Sequence, residues 1–273
     1  MKKNTYTFSI IKGIKNPPNA NNPSNSFTVG NGLLHNGLSG SLLKYIAIIT
    51  MTIDHIGAAI VEQLLYHSIQ PNTFTFGNFI ITRQQLIYLD CILRSIGRIA
   101  FPIFCFLLVE GFFYTKSRMR YLKRLVLFAL LSEIPFDLAF SHSLFNLSSQ
   151  NVFFTLYIGF IAMCLQEYWK SKPLLRISSA VFCMLFAYLA HTDYHALGVL
   201  AILLFYYFRT LQKPFHILWV LLYFFSWEPM AILSGIFLIG YNGKKGNSYR
   251  YFFYCFYPLH LLCLYGIYRL ISM

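Results

Sequence analysis

Charge is what this sequence has least of. Only 11% of its 273 residues are Asp, Glu, Lys or Arg, against about 25% in soluble domains. That shortage excludes an ordinary soluble globule. Acids are the scarcer sign, nine against 22 basic residues, for a formal charge of +13. Nucleic-acid binding is one cause of such an excess, but in a chain this apolar the commoner cause is Lys and Arg enrichment in cytoplasmic loops, so no nucleic-acid partner is expected. The six cysteines (91, 105, 164, 183, 255 and 263) form no CxxC pair and no His/Cys ligand spacing. They read as small buried hydrophobes, and no metal is expected. The apolar runs lack the period-two alternation of a β-barrel. Residues 1–40 lack the apolar core of a cleavable signal peptide, and no convincing internal repeat occurs.

What is present is apolar: 57% hydrophobic residues, 19% aromatic, mean hydropathy +0.55. Continuous apolar stretches of about 15–20 residues predict an all-α fold, a polytopic membrane helix bundle. Residues 1–40, rich in Asn, Ser, Gly and Pro, read as a disordered polar tail, and 41–273 as the transmembrane domain. Nine spans are expected near 43–66, 92–114, 121–140, 151–169, 174–190, 196–209, 214–227, 229–242 and 250–271. Several are short for a bilayer, which admits tilted or re-entrant segments. Pro102, Pro135 and Pro258 fall inside spans and mark expected kinks.

Charge placement orients the set. With the N-terminus in the cytoplasm, one side holds Lys2, Lys3, Lys12, Lys15 and Lys44, then Lys116, Arg118, Arg120, Lys123 and Arg124. The same side holds Lys170, Lys172, Arg176, Arg209, Lys213, Lys244, Lys245 and Arg250. The opposite loops hold almost no basic residue beyond Arg83. This alternation predicts nine crossings with the C-terminus outside.

Against this background the ionisable residues inside apolar runs stand out, because each costs several kcal/mol unless it faces a cavity or a partner. Asp54 and His55 lie about ten residues into the first span, near mid-bilayer. Glu62 follows His55 by seven residues on nearly the same helical face. Asp90, Arg94 and Arg98 recur every four residues and stack on one face. Arg98 stays charged and needs an anion or water, while Arg94 is placed at the interface. Glu110, Glu133, Asp137, Asn151, Thr155 and His260 complete the set. His191, Asp193 and His195 lie in an expected outer loop without further ligands nearby, which argues against a metal site. Each residue alone has an ordinary structural role open to it: a buried ion pair for Asp54 or Glu133, a cap or interhelical hydrogen bond for Asn151 and Thr155. Together they resemble a reaction centre or an ion path. His55 is the best general base, because its ordinary pKa lies near working pH.

Beside these residues stand longer runs. Lys44-Tyr-Ile-Ala-Ile-Ile-Thr-Met-Thr-Ile-Asp-His-Ile-Gly57 and Ile96-Gly-Arg-Ile-Ala-Phe-Pro-Ile-Phe-Cys-Phe-Leu-Leu-Val-Glu-Gly-Phe-Phe-Tyr-Thr115 resemble the first two blocks of the TraX family. Asn151-Val-Phe-Phe-Thr-Leu, Asp193-Tyr, Tyr241-Asn-Gly and Phe253-Tyr-Cys-Phe-Tyr-Pro-Leu-His-Leu261 follow in the family's order, so the likeness spans nearly all of 44–265. The resemblance implies an integral membrane acyltransferase akin to pilin N-acetyltransferases. It is similar to a wider group that includes the lysosomal heparan-alpha-glucosaminide N-acetyltransferase. Acetyl-CoA would then be the acyl donor from the cytosol. The acceptor would be a pilin or peptide amino terminus or a glycan, the location the bacterial cytoplasmic membrane, with a homodimer left open. Lys116, Arg118, Arg120, Arg124 and Lys244 are the expected phosphate contacts. His55 is the expected base, with His260 its rival. Asp54 orients it or pairs with Arg98. Arg98, Asn151 or Thr155 stabilises the oxyanion, with Glu133 nearby, and an acetyl-histidine route stays open. The rival class is a proton-coupled transporter or flippase, which also needs acids and histidines at mid-membrane.

Overall fold

The computed structural model describes residues 37–67, 73–76, 79–209, 211, 215–247 and 250–272. The predicted tail 1–40 lies almost wholly outside them. The fold is all-α apart from one hairpin, β1 (Thr73–Phe76) paired antiparallel with β2 (Phe79–Thr82). The helices are α1 (Gly40–Ile56), continued by a π-helical turn (Gly57–Val61) into α2 (Glu62–His67), α3 (Arg83–Gly97), α4 (Ala100–Tyr114) and α5 (Arg118–Ser141). They continue with α6 (Val152–Tyr168), α7 (Pro173–Leu189), α8 (His195–Phe208), α9 (Phe215–Phe225), a 3₁₀ turn (Pro229–Leu233), α10 (Ser234–Ile239) and α11 (Arg250–Ile271).

Helical segments stand at each place where an apolar run predicts one, but their lengths differ from nine equal spans. Two continuous stretches, Gly40–Tyr66 and Arg83–Tyr114, are long and apolar enough to cross a membrane. The expected second span begins nine residues early, at Arg83, where Thr82 and Gln85 form a capping box. The stretch then breaks at Arg98–Ile99, and Pro102 falls in the first turn of α4. A proline costs little there, so Pro102 marks no mid-helix kink. Pro135 and Pro258 do lie inside helices. The expected seventh and eighth spans are an 11-residue helix and the 3₁₀ turn running into α10. Each is on the order of 15–20 Å long, well short of a hydrocarbon core. The turn between them carries Glu228 to Arg98, 3.3 Å away.

Without a hydrophobic drive between helices in lipid, close contact needs small residues. Glycines supply it here. A side chain on Gly97 would collide with Asp54, on Gly57 with Asp90 and Arg94, on Gly159 with Ile202, and on Gly198 with Thr155 and Tyr194. The first two bring α1 and α3 together where both carry charge. Phe112, Phe160, Phe205 and Phe224 fill the centre completely buried.

The start of the described residues is tied to the segment 240–245. Leu38 N–H donates to the Gly240 carbonyl at 2.8 Å, Gly40 N–H to Lys244 O at 2.8 Å and Ser41 N–H to Lys245 O at 2.9 Å. These bonds satisfy the free N–H groups at the start of α1 and gather the basic 242–247 loop at that end.

Candidate active site

A cavity of about 530 Å³ runs along α1 and α2 from Met51 to Tyr66. Asp54, His55, Glu62, Arg94, Arg98, Asp193, Tyr194 and Tyr257 line it. It lies among the connections on the side away from the N-terminus of α1, including Ser149 and the α7–α8 turn.

His55 lines it, and His260 backs His55. Their rings stack at 5.0 Å with 8° between planes, and His55 Nδ1 lies 2.7 Å from His260 Nε2. His260 Nδ1 lies 3.0 Å from the Phe256 carbonyl oxygen. A carbonyl only accepts, so His260 Nδ1 carries the hydrogen. In the neutral ring Nε2 is then the acceptor, which makes His55 Nδ1 the donor. The remaining nitrogen, His55 Nε2, keeps its lone pair on the cavity side. The main chain of α11 thus fixes the tautomer of the histidine on α1.

Asp54 belongs to the arginines. Its Oδ2 accepts from Arg94 Nη1 at 2.6 Å, its Oδ1 lies 4.0 Å from Arg98, and Arg98 Nη1 reaches Glu228 at 3.3 Å. No hydrogen bond joins Asp54 to His55 among the described residues. Of the two roles open to Asp54, the geometry gives the ion pair. Arg94, expected at the interface, is instead drawn in as its closest partner, because Gly57 and Gly97 let α3 approach α1.

The α7–α8 turn is strained. His191, Tyr194 and His195 all have positive φ, at 51°, 62° and 45°, a conformation costly for side-chain-bearing residues. It is held by Gln150 N–H to His191 O at 2.9 Å and Asp193 N–H to Gln150 O at 2.8 Å. Thr155 Oγ1 also donates to the Asp193 carbonyl, and Tyr194 stacks on Phe101 with centroids 3.6 Å apart. The turn thereby delivers Asp193 and Tyr194 to the cavity beside Arg98. Loss of water on burial, reinforced by nearby Asp54, pushes the Asp193 carboxyl up to about 6, with Arg98 opposing the shift.

Among the residues expected at the centre, the structure brings together His55, Asp54, Arg98 and His260. Thr155 supports the wall from behind. Glu133 and Asn151 lie elsewhere: Asn151, fully buried, caps α6 through Phe153 N–H at 3.0 Å, and donates to the Ala129 carbonyl at 2.8 Å and to Glu133. The expected phosphate contacts also divide. Arg118, Arg120 and Arg124 all lie in α5 rather than in a loop. Arg118 is buried with its guanidinium 3.9 Å from the Phe112 ring centroid, and Arg124 sits over Tyr121 at 5.4 Å. Lys116, Arg120 and Lys244 are exposed. Glu228 escaped sequence reasoning, although it is one of only nine acids and interrupts an aromatic run.

Fold and site together define a helical membrane protein with a hydrogen-bonded histidine pair and an ion-pair network beside a cavity. The chain matches the family model described as TraX protein over residues 39–268, and it belongs to that family. It is 31% identical over 250 residues to a Dichelobacter nodosus protein named as a probable fimbrial assembly protein FimC, serogroup H1. That match covers 81% of this chain and 92% of the relative. It is 28% identical over 132 residues to the uncharacterized protein RP591 of Rickettsia prowazekii (strain Madrid E), covering 48% of this chain and 38% of the other. No solved structure shows a significant match.

Proposed function

We propose that this protein is a multi-pass acyltransferase of the cytoplasmic membrane that moves an acetyl group from cytosolic acetyl-CoA to an amino terminus, that of a pilin-type subunit. The observation that carries the reading is the hydrogen-bond chain from Phe256 O through His260 to His55, which leaves His55 Nε2 as a base facing a cavity. Family membership and a fimbrial assembly relative support the acceptor class.

The donor's phosphates suit the basic end of the molecule. Lys116, Arg120 and Lys244 would hold them, since their side chains are exposed while Arg118 and Arg124 are occupied by aromatic rings. Bound there, the donor supplies an activated thioester carbonyl. His55 Nε2 takes the proton from the acceptor amine as the amine nitrogen attacks that carbonyl. The negative charge that develops on the carbonyl oxygen falls to Arg98, held by Glu228 and Asp54. The C–S bond then breaks, the thiolate leaves, and the imidazolium returns a proton to it.

Purified protein in detergent, incubated with radiolabelled acetyl-CoA and a peptide amine, tests this. Wild type should label the peptide, and His55→Ala should transfer roughly 10²–10⁴-fold more slowly. Absence of transfer by wild type, or full transfer by His55→Ala, overturns the reading.

A further inference from the structure

Glu62 and Asp193 are acids in the cavity wall that the proposed chemistry does not use, and of the two Asp193 already faces Arg98. Asp54 is neutralised by Arg94 and Arg98, and Glu228 by Arg98. Glu62 has no hydrogen bond or ion pair among the described residues, although it lines the cavity. Its neighbour Gln63 is by contrast tied to the Phe140 carbonyl at 3.2 Å and to His142 at 3.0 Å. In a chain with 22 basic residues and nine acids, a carboxylate without a cation in a cavity wall is a ready site for one brought by a ligand.

Its position sets a ruler. Glu62 follows His55 by seven residues along the same continuous helix, so the two lie roughly 10 Å apart along the axis. Both line the cavity, with the π-helical turn Gly57–Val61 between them. Tyr66, 75% exposed, lies one turn further toward the mouth. Deeper in, Asp54, Glu228 and Asp193 already face Arg94 and Arg98, so Glu62 in the outer part is the carboxylate left for a cation. An extended peptide advances about 3.3 Å per residue, and 10 Å corresponds to about three residues.

We propose that Glu62 is a specificity residue that pairs with a cationic side chain of the acceptor, about three residues beyond the amine that faces His55. This rests on the acyl-acceptor reading of the cavity. It adds a sequence preference that neither family nor relatives supply.

Direct binding tests it on the full-length protein in detergent, without acetyl-CoA. The probes are three peptides, Ala-Gly-Gly-X-Gly-Gly, labelled at the C-terminus, with X as lysine, norleucine or glutamate. Wild type should bind the lysine peptide about tenfold more tightly than the norleucine peptide. Glu62→Gln should bring that ratio near one, and Glu62→Lys should favour the glutamate peptide, an inversion that misfolding does not produce. A ratio unchanged by Glu62→Gln, or no measurable binding of any peptide, overturns the proposal. If Glu62 governs binding but wild type acetylates none of the peptides, the acyltransfer reading falls and the cation site stands. If transfer occurs without dependence on residue 62, the specificity proposal falls and the acyltransfer reading stands.

Discussion

The side chain of Asp54 occupies the space that a β-carbon on Gly97 would fill. This contact lets α1 and α3 bring a carboxylate and two guanidinium groups together, with Arg94 2.6 Å from Asp54. Gly97→Ala must push Asp54 aside. Overpacking of this kind costs about 1–3 kcal/mol, and a displaced buried ion pair adds to it. The expected result is a clearly lower midpoint in a detergent thermal melt and loss of transfer activity. Asp54→Gly in the same chain removes the β-carbon that a side chain on Gly97 would meet first, so the double variant should be less destabilised than the two single effects added.

His260 carries its hydrogen on the nitrogen facing Phe256 O and accepts from His55. It therefore acts through His55 rather than on the substrate. Replacement by leucine removes the acceptor and frees the His55 tautomer, and kcat should fall roughly 10–100-fold with little change in the acceptor KM. His260→Gln offers an oxygen acceptor and should recover much of that loss. Equal losses in both variants would make His260 the base itself.

Asp193 binds its proton more tightly in the fold than in the unfolded chain, near 6 against an ordinary 3.8. Between those values the folded state holds more protons, so this group makes stability fall as pH rises through the window. The full difference is on the order of 2–3 kcal/mol at about 1.36 kcal/mol per pKa unit. Wild type should melt progressively lower from pH 4.5 to 6.5 relative to Asp193→Asn. The variant keeps the Thr155 bond, because that bond goes to the Asp193 backbone. Parallel melting curves for the two proteins across that range would remove Asp193 from the account.

The helical framework was legible because apolar run length reports directly on helices in lipid. His55 was legible because an imidazole and a carboxylate inside an apolar run are costly wherever the chain folds. Periodicity also placed Asp90, Arg94 and Arg98 on one face. It did not show which helix that face meets, and only the bare Gly57 and Gly97 surfaces decide that Arg94 turns inward. Glu228 is 130 residues from Arg98, and no local pattern marks the connection between α9 and the 3₁₀ turn as its partner. Run length alone counted both segments among the spans short for a bilayer. The basic cluster 116–124 looked uniform in sequence, yet Arg118 is buried over Phe112 while Lys116 and Arg120 stay exposed, a difference set by helical phase from Ser117 onward.

Asn151 gives the sharpest test of that reading, because its sequence context suits either an oxyanion donor or a cap. In the structure its oxygen caps α6 and its amide group serves Ala129 O and Glu133, so every polar atom is already spent on joining α5 to α6. Asn151→Ala removes the cap, worth about 1 kcal/mol, and takes a side-chain partner from the half-buried Glu133 carboxylate and a second donor from the Ala129 carbonyl, a further loss of about 1–3 kcal/mol in all. A fall in melting temperature of several degrees or more is expected. The protein that remains folded should transfer acetyl at close to the wild-type rate. Glu133→Gln, which can keep a hydrogen bond to Asn151, should melt nearer to wild type than Asn151→Ala does. If Asn151→Ala instead melts normally and loses most of its kcat, the amide acts on the reacting carbonyl, and the catalytic centre extends to the N-terminus of α6.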